Sequence, residues 1–297
     1  MSIIQKAAQR LEELNRAGVS VPQAPASGGP SAPMAESRTS PPGPRVVPAP
    51  GADRPVRRSA EVELNLQKLE ADGFLVPSHA RSLMSEEFRH IKQPLLRAAR
   101  EAQGQRGHRG GLIMVTSALP REGKTFCAIN LALSMAMEVD TSVLLVDADV
   151  VRPAVLDRLG LPPGRGLLDV LTDPSLDLSE VMLRTNIPKL SLLPAGTRNA
   201  RSTELLGSDA MERLLVDLSN RYSDRVVIFD APPLLLTSEA KVLAGRLGQV
   251  VMVVEAANTP RSSVNEAFAA VSECPNVVTV LNRCAEPVAD NRYGYYY

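Results

Sequence analysis

The chain has 297 residues, enough for one large domain or two modest ones. Lys plus Arg and Asp plus Glu balance at 33 each, so no global field points to nucleic acid or to an anionic membrane. The longest apolar runs, such as residues 250–254, fall far short of the ~20 residues that span a bilayer, and Cys127, Cys274 and Cys284 are scattered without metal-type spacing, as expected of buried thiols in a reducing cytoplasm.

Residues 1–19 read as one amphipathic helix. Ile3, Ile4, Ala7, Ala8, Leu11 and Leu14 fall at helical spacing, with Lys6, Arg10, Glu12, Glu13 and Arg16 between them. Charges inside the apolar pattern distinguish this start from a signal peptide, so a cytoplasmic location is expected. A helix this short needs a surface to pack on, and its own domain, a partner and a membrane surface all remain open. Residues 20–58 are a linker: ten of the chain's 24 prolines lie between Pro22 and Pro55 among Ala, Ser and Gly, a composition that cannot bury a core. Residues 59–283 form the globular domain. The pattern predicts two leading helices within 59–104, at about 60–72 and 80–103. Strands follow at 112–116, 142–146, 190–193, 226–229, 250–254 and 277–281, with helices between them at 124–138, 203–220 and 260–273. Continuous apolar runs suit strands buried on both faces. Alternating β and α elements predict an α/β fold with a doubly wound, mostly parallel sheet. Residues 284–297 are a tail.

That tail holds four of the chain's five tyrosines, Tyr293, Tyr295, Tyr296 and Tyr297, while the body has no Trp and five Phe. A terminal segment has no core to form. Either the rings pack on the domain or a partner, or their hydroxyls are there to be modified.

The strand at 112–116 runs into Ser117-Ala-Leu-Pro-Arg-Glu-Gly-Lys-Thr125 and then into an apolar helix. This is a P-loop in the strand–loop–helix context that the motif requires. Backbone N–H groups and the helix N-terminus make a positive concavity for phosphates. Lys124 is placed to reach the β- and γ-phosphates of ATP and Thr125 to hold Mg²⁺. The first glycine of the motif is replaced by Ala118. Pro120, Arg121, Glu122, Gly123, Lys124, Thr125 and Phe126 are the expected ATP-binding stretch. Two strand ends are acidic. The strand at 142–146 leads into Asp147-Ala-Asp149, and residues i and i+2 of a strand face one way. The strand at 226–229 ends in Asp230-Ala-Pro-Pro233. Each end suits a helix cap or turn. Beside a P-loop each also suits Mg²⁺, with Thr125, Asp147 and Asp230 as candidate ligands. Lys124 and the metal then neutralise phosphoryl charge, and Asp147 or Asp149 accepts the proton of an incoming hydroxyl.

The run Leu145-Val-Asp-Ala-Asp-Val-Val-Arg-Pro153, with Ser117–Thr125, Phe229-Asp-Ala-Pro-Pro233 and the tyrosine-rich terminus, resembles the bacterial tyrosine autokinases (BY-kinases) over residues 60–297. The N-terminal helix and linker resemble the branch found with exosortase-type exopolysaccharide loci. The resemblance implies a P-loop fold that uses ATP and Mg²⁺ to phosphorylate its own tyrosines, here Tyr293, Tyr295, Tyr296 and Tyr297, in trans. It also implies control of surface polysaccharide chain length and export. By the same resemblance, Lys124, Asp147 and Asp149 are catalytic. An Arg expected two residues after Asp149 is instead Val151, with Arg152 next. Glu86-Glu-Phe-Arg89-His-Ile-Lys92 resembles the family's subunit contact E-x-x-R-x-x-R, with Lys92 for the last Arg. Asn282 and Arg283 stand where related ATPases contact adenine.

The implied partners are further copies of the chain in a ring-like homo-oligomer and a membrane chain-length-determinant or co-polymerase protein. Such a partner would recruit the chain to the inner face of the cell membrane. Two other functions compete. A positioning ATPase of the ParA/MinD type carries a second lysine early in the loop, where this chain has Leu119. A non-catalytic ATP-binding regulator has no need of the full Lys124, Thr125, Asp147, Asp149 and Asp230 set. No basic, aromatic-interleaved patch suggests nucleic acid.

Overall fold

Strand residues that alternate between two apolar cores organise this molecule. Ile113, Val115, Val143, Leu145, Val226, Ile228, Val251 and Val253 belong to one core. Their neighbours Leu112, Met114, Leu144, Val146, Val227, Phe229, Val250 and Met252 belong to the other. A strand has side-chain period 2, so a continuous apolar run buries both faces and the sheet must be covered on each side. The computed structural model describes residues 59–79, 82–102, 109–221 and 225–284. All of them lie in one unit, Pro55–Tyr297.

The eight strands are β1 (Ala60–Val62), β2 (Leu112–Ser117), β3 (Ser142–Asp147), β4 (Leu183–Thr185), β5 (Leu190–Leu193), β6 (Arg225–Asp230), β7 (Gln249–Glu255) and β8 (Val277–Asn282). They form one sheet in the order β1-β4-β5-β3-β6-β2-β7-β8. Every pairing is parallel except β4 with β5. β2, β6 and β3 are neighbours, so the loops leaving their carboxyl ends share one crevice, where open α/β sheets bind ligands.

Helices α1 (Leu66–Ala71), α2 (Leu83–Ala102) and α3 (Lys124–Ala136) contribute to one core. After α4 (Val155–Arg158) come α5 (Leu167–Thr172), α6 (Leu178–Val181), α7 (Ser202–Leu206), α8 (Asp209–Arg221), α9 (Ser238–Ala244) and α10 (Arg261–Ala270). Residues of α5 to α10 contribute to the other core. The doubly wound, mostly parallel sheet is as expected. No helix among the described residues is long and apolar enough to cross a membrane.

Four local expectations are corrected. Residues 60–62 are not helical: they form β1, an edge strand paired with β4, and only Leu66–Ala71 of the expected first helix is helical. The stretch 203–220 is two helices, α7 and α8, interrupted at Gly207. β4 was not foreseen, since Leu183–Thr185 is too short to show periodicity. Cys284 is exposed, whereas Cys127 and Cys274 are buried. The expected helix 1–19, linker 20–58 and tyrosines Tyr293, Tyr295, Tyr296 and Tyr297 lie outside the described residues.

The segment ahead of α2 is tied in by side-chain amides. Asn186 accepts from Leu64 N at 2.9 Å and donates to Leu64 O at 3.1 Å. Buried Asn130 of α3 accepts from Leu75 N at 2.7 Å. Buried amides stay where both their donor and acceptor are satisfied.

Candidate nucleotide site

The loop between β2 and α3 turns on Gly123, which has φ +93° and is the N-cap of α3. That left-handed conformation favours glycine. Space enforces the choice as well: a Cβ there would lie 2.1 Å from Asn282 Nδ2. Asn282, at the end of β8, donates from that nitrogen to Glu122 O at 2.8 Å. The Glu122 side chain is only 2% exposed and is turned inward. Its Oε2 accepts from Leu119 N at 2.6 Å and its Oε1 from the Thr259 hydroxyl. The loop is therefore braced from within by β8 and by the segment after β7.

A cleft of ≈ 660 Å³ opens beside this loop, lined by Phe74, Arg121, Gly123, Lys124, Thr125, Phe126, Arg158, Asn282 and Arg283. Of the expected ATP-binding residues, Arg121, Gly123, Lys124, Thr125, Phe126, Asn282 and Arg283 meet here, while Pro120 and Glu122 are not among the lining residues. Arg283 has φ +58° and its guanidinium pairs with Glu255 at 2.9 Å. Sequence reasoning missed Phe74 and Arg158. Phe74 packs on Phe126 with ring centroids 5.3 Å apart, yet stands 52 positions earlier in the chain, so no local pattern marks it.

At the inner end of the cleft the acidic strand ends converge on Lys124. Its Nζ lies 2.7 Å from Asp149 Oδ2 and 3.8 Å from Asp230 Oδ1. The Thr125 hydroxyl donates to Asp230 Oδ2 at 2.7 Å. Burial by itself would lower the Lys124 ammonium, but the charges of Asp230, Asp149 and Asp147 outweigh it and hold its pKa above the ordinary value. Asp147 is turned partly aside: its Oδ2 accepts from Ala154 N and Val155 N, both at 3.0 Å, at the start of α4. Burial, and next the charge of Asp230, pushes the Asp147 carboxyl up to about 7 in spite of those bonds. Burial pushes Asp230 up to about 6, opposed by Lys124 and by the Thr125 bond.

Among the described residues, two buried carboxylate oxygens, Asp147 Oδ1 and Asp230 Oδ1, have no hydrogen-bond partner. Three aspartates face one lysine. A hard divalent cation fits this surplus, because it binds oxygen and favours the ionised carboxylates. Among the described residues no three acidic, imidazole or thiol side chains form a metal cage. Mg²⁺ is usually held by one or two carboxylates plus substrate phosphates and water. Thr125, Asp147 and Asp230 remain the residues available to it.

Leu119, where the competing ATPases carry a lysine, is half-buried against the apolar core and its N–H is held by Glu122. Glu86 and Arg89 pair with each other at 2.8 Å and stay about half exposed. Lys92 does not join them. Six residues of helix rotate it about 120° from Glu86, and it is buried, donating to Ser134 O at 2.8 Å and pairing with Glu138 at 2.9 Å at the C-terminal end of α3. Of the three residues expected at the subunit contact, Glu86 and Arg89 are exposed and Lys92 is buried.

No protein-family model matches the chain. It is 30% identical over 217 residues to the tyrosine-protein kinase YwqD of Bacillus subtilis, covering 73% of this chain and 87% of that one. It is also 30% identical over 195 residues to the succinoglycan biosynthesis transport protein ExoP of Rhizobium meliloti, covering 65% of this chain but 24% of that one. Among solved structures, the VpsO kinase domain matches with a TM-score of 0.53 and 30% identity, over 66% of this chain and 98% of that domain.

Proposed function

Because the chain belongs to the family of bacterial tyrosine-protein kinases, we propose that it is an ATP-dependent tyrosine autokinase whose substrate is its own cluster Tyr293, Tyr295, Tyr296 and Tyr297. The single observation that carries this reading is the convergence of Lys124, Thr125, Asp149 and Asp230 at one end of the Gly123 cleft. Lys124 is the fixed cation for the β- and γ-phosphates, and the α3 N-terminus supplies oriented N–H groups. Thr125, Asp230 and Asp147 would hold Mg²⁺, which when bound would supply charge neutralisation at the phosphates. Asp149 holds Lys124 in place. Of Asp147 and Asp149, the one that does not ligate the metal takes the phenolic proton of an incoming tyrosine.

The tyrosines come from a neighbouring copy, so transfer runs in trans within an oligomer. The exposed Glu86–Arg89 pair offers such an assembly a contact. Each phosphate adds about −1.5 to −2 charge, so a filled tail repels an acidic site and the assembly loosens. ExoP is named for polysaccharide biosynthesis and transport, and the process we assign to this chain is likewise exopolysaccharide synthesis and export. A membrane co-polymerase protein is the proposed partner.

The test is incubation with Mg·ATP and mapping of phosphotyrosine by mass spectrometry, beside Lys124→Met and a chain ending before Tyr293. The expected result is phosphate on the tail of the wild type alone. Mixing Lys124→Met with the truncated chain restores it on the former. A wild type that stays unmodified even with the partner's cytoplasmic segment present overturns the assignment.

A further inference from the structure

A second cavity, ≈ 390 Å³, lies at the β4–β5–β3–β6 corner of the sheet. It borders Ser142, Arg184, Ser191 and Arg225, and shares none of its described lining residues with the Gly123 cleft. Strand register explains how these four meet. Arg184 pairs with Ser191 across β4 and β5, Ser191 with Leu144 across β5 and β3, and Ser142 with Arg225 across β3 and β6. Ser142 and Leu144 are two apart on β3, so all four lie on one sheet face. That face is elsewhere apolar, carrying Leu144, Val146, Val227 and Phe229. Polar residues at such positions cost stability unless water or a ligand satisfies them.

The chemistry of the lining is one-sided. Arg184 and Arg225 border it, Lys189 does so with its ammonium donating to the carbonyls of Glu138 and Val139, and no carboxylate is among the described lining residues. An ordinary solvated surface mixes both signs. The Ser142 and Ser191 hydroxyls are half-buried and form no hydrogen bond with the described residues. Glu61 approaches Arg184 to 3.8 Å, but both are largely exposed, so the pair is loose. Arg225 is steadied by contacts of its own within the protein.

We propose that this corner is a binding site for a phosphate monoester, held by Arg184 and Arg225 through charge and by Ser142 and Ser191 through their hydroxyls. Guanidinium groups and hydroxyls are donors matched to phosphate oxygens. The group arrives on a phosphotyrosine of this chain's tail or on a soluble sugar phosphate. Only the first source rests on the kinase reading.

The experiment titrates inorganic phosphate, O-phosphotyrosine and a hexose 1-phosphate into full-length ¹⁵N-labelled protein and follows amide shifts. The expected result is saturable movement at Ser142, Arg184 and Ser191. The combined Arg184→Gln and Ser191→Val variant weakens it by about tenfold or more, the charge-assisted bonds being the stronger ones. Arg184 is exposed and valine suits a strand, so the variant folds, and an unchanged remaining spectrum verifies it. Tighter binding of phosphotyrosine assigns the tail as the source, and tighter binding of the hexose phosphate assigns the metabolite. Amides that stay still at tens of millimolar phosphate, or that move equally in the variant, overturn the proposal. Shifts at Gly123–Thr125 are read separately: their absence counts against the nucleotide site and leaves this corner standing.

Discussion

Asp147 and Asp230 are register partners at the carboxyl ends of β3 and β6, and each leaves one buried oxygen without a hydrogen-bond partner among the described residues. Burial raises both carboxyls, and the charge of Asp230 adds to the rise at Asp147, so their pKa values of about 7 and about 6 stand above the ordinary 3.8. For a raised carboxylate the folded state binds more protons than the unfolded one between the two pKa values. Stability therefore falls as pH rises from about 4 to about 7 and levels off above that. Urea unfolding in EDTA is expected to give a higher midpoint at pH 5 than at pH 8 from this pair, and millimolar Mg²⁺ to shrink the difference. The Asp147→Asn variant should flatten the slope. An unchanged slope in that variant would remove this pair as its cause.

Lys124 sits between Asp149 and Asp230 and is mostly buried. Removing one partner of a buried charge set leaves the others uncompensated, at about 3–5 kcal/mol. Lys124→Met is expected to abolish tyrosine phosphorylation and also to lower the unfolding midpoint, with part of that loss recovered at pH 5, where Asp147 and Asp230 protonate.

Gly123→Ala tests the brace between the loop and β8. The added Cβ meets Asn282 Nδ2 at 2.1 Å, and φ is +93°. Nucleotide affinity, measured by calorimetry, should fall sharply. Adding Asn282→Ala removes the clash but leaves the left-handed backbone, which disfavours alanine by about 1 kcal/mol. Recovery is thus expected to be partial, and full recovery would mean that the conformation carries no strain.

Lys92 and Arg89 separate buried from exposed ion pairs on one helix. Lys92→Ala loses the Ser134 O bond and strands Glu138; a loss of about 2 kcal/mol or more is expected in urea unfolding. Arg89→Ala breaks an exposed i,i+3 pair worth about 0.3–0.5 kcal/mol, so stability should hardly change. If Glu86 and Arg89 form the subunit contact, Arg89→Ala lowers the sedimentation coefficient of the assembly, and Lys92→Ala does so only where it also unfolds the chain.

The chain announces its chemistry locally. Ser117–Thr125 puts a phosphate loop between a strand and a helix within nine consecutive residues, and Asp147, Asp149 and Asp230 each end an apolar run. Contiguity and the period of 2 place such groups at one edge of a parallel sheet before any coordinates exist. Short elements escaped that reading. β1 and β4, three residues each, are strands because they pair with each other, and three residues carry too little periodicity to say so.

The amino-acid order by itself determined the doubly wound sheet and the phosphate loop, because the side-chain alternation and the Gly-Lys-Thr turn are properties of neighbouring residues. It also determined the four terminal tyrosines, whatever their use. Only the tertiary structure decided who partners whom: that Asp147 leans on the start of α4, that Lys92 turns inward to α3, and that Phe74 and Arg158 complete the cleft. The reason is physical. Periodicity states which way a side chain faces, whereas its partner depends on packing between segments tens to hundreds of residues apart, which no local pattern records.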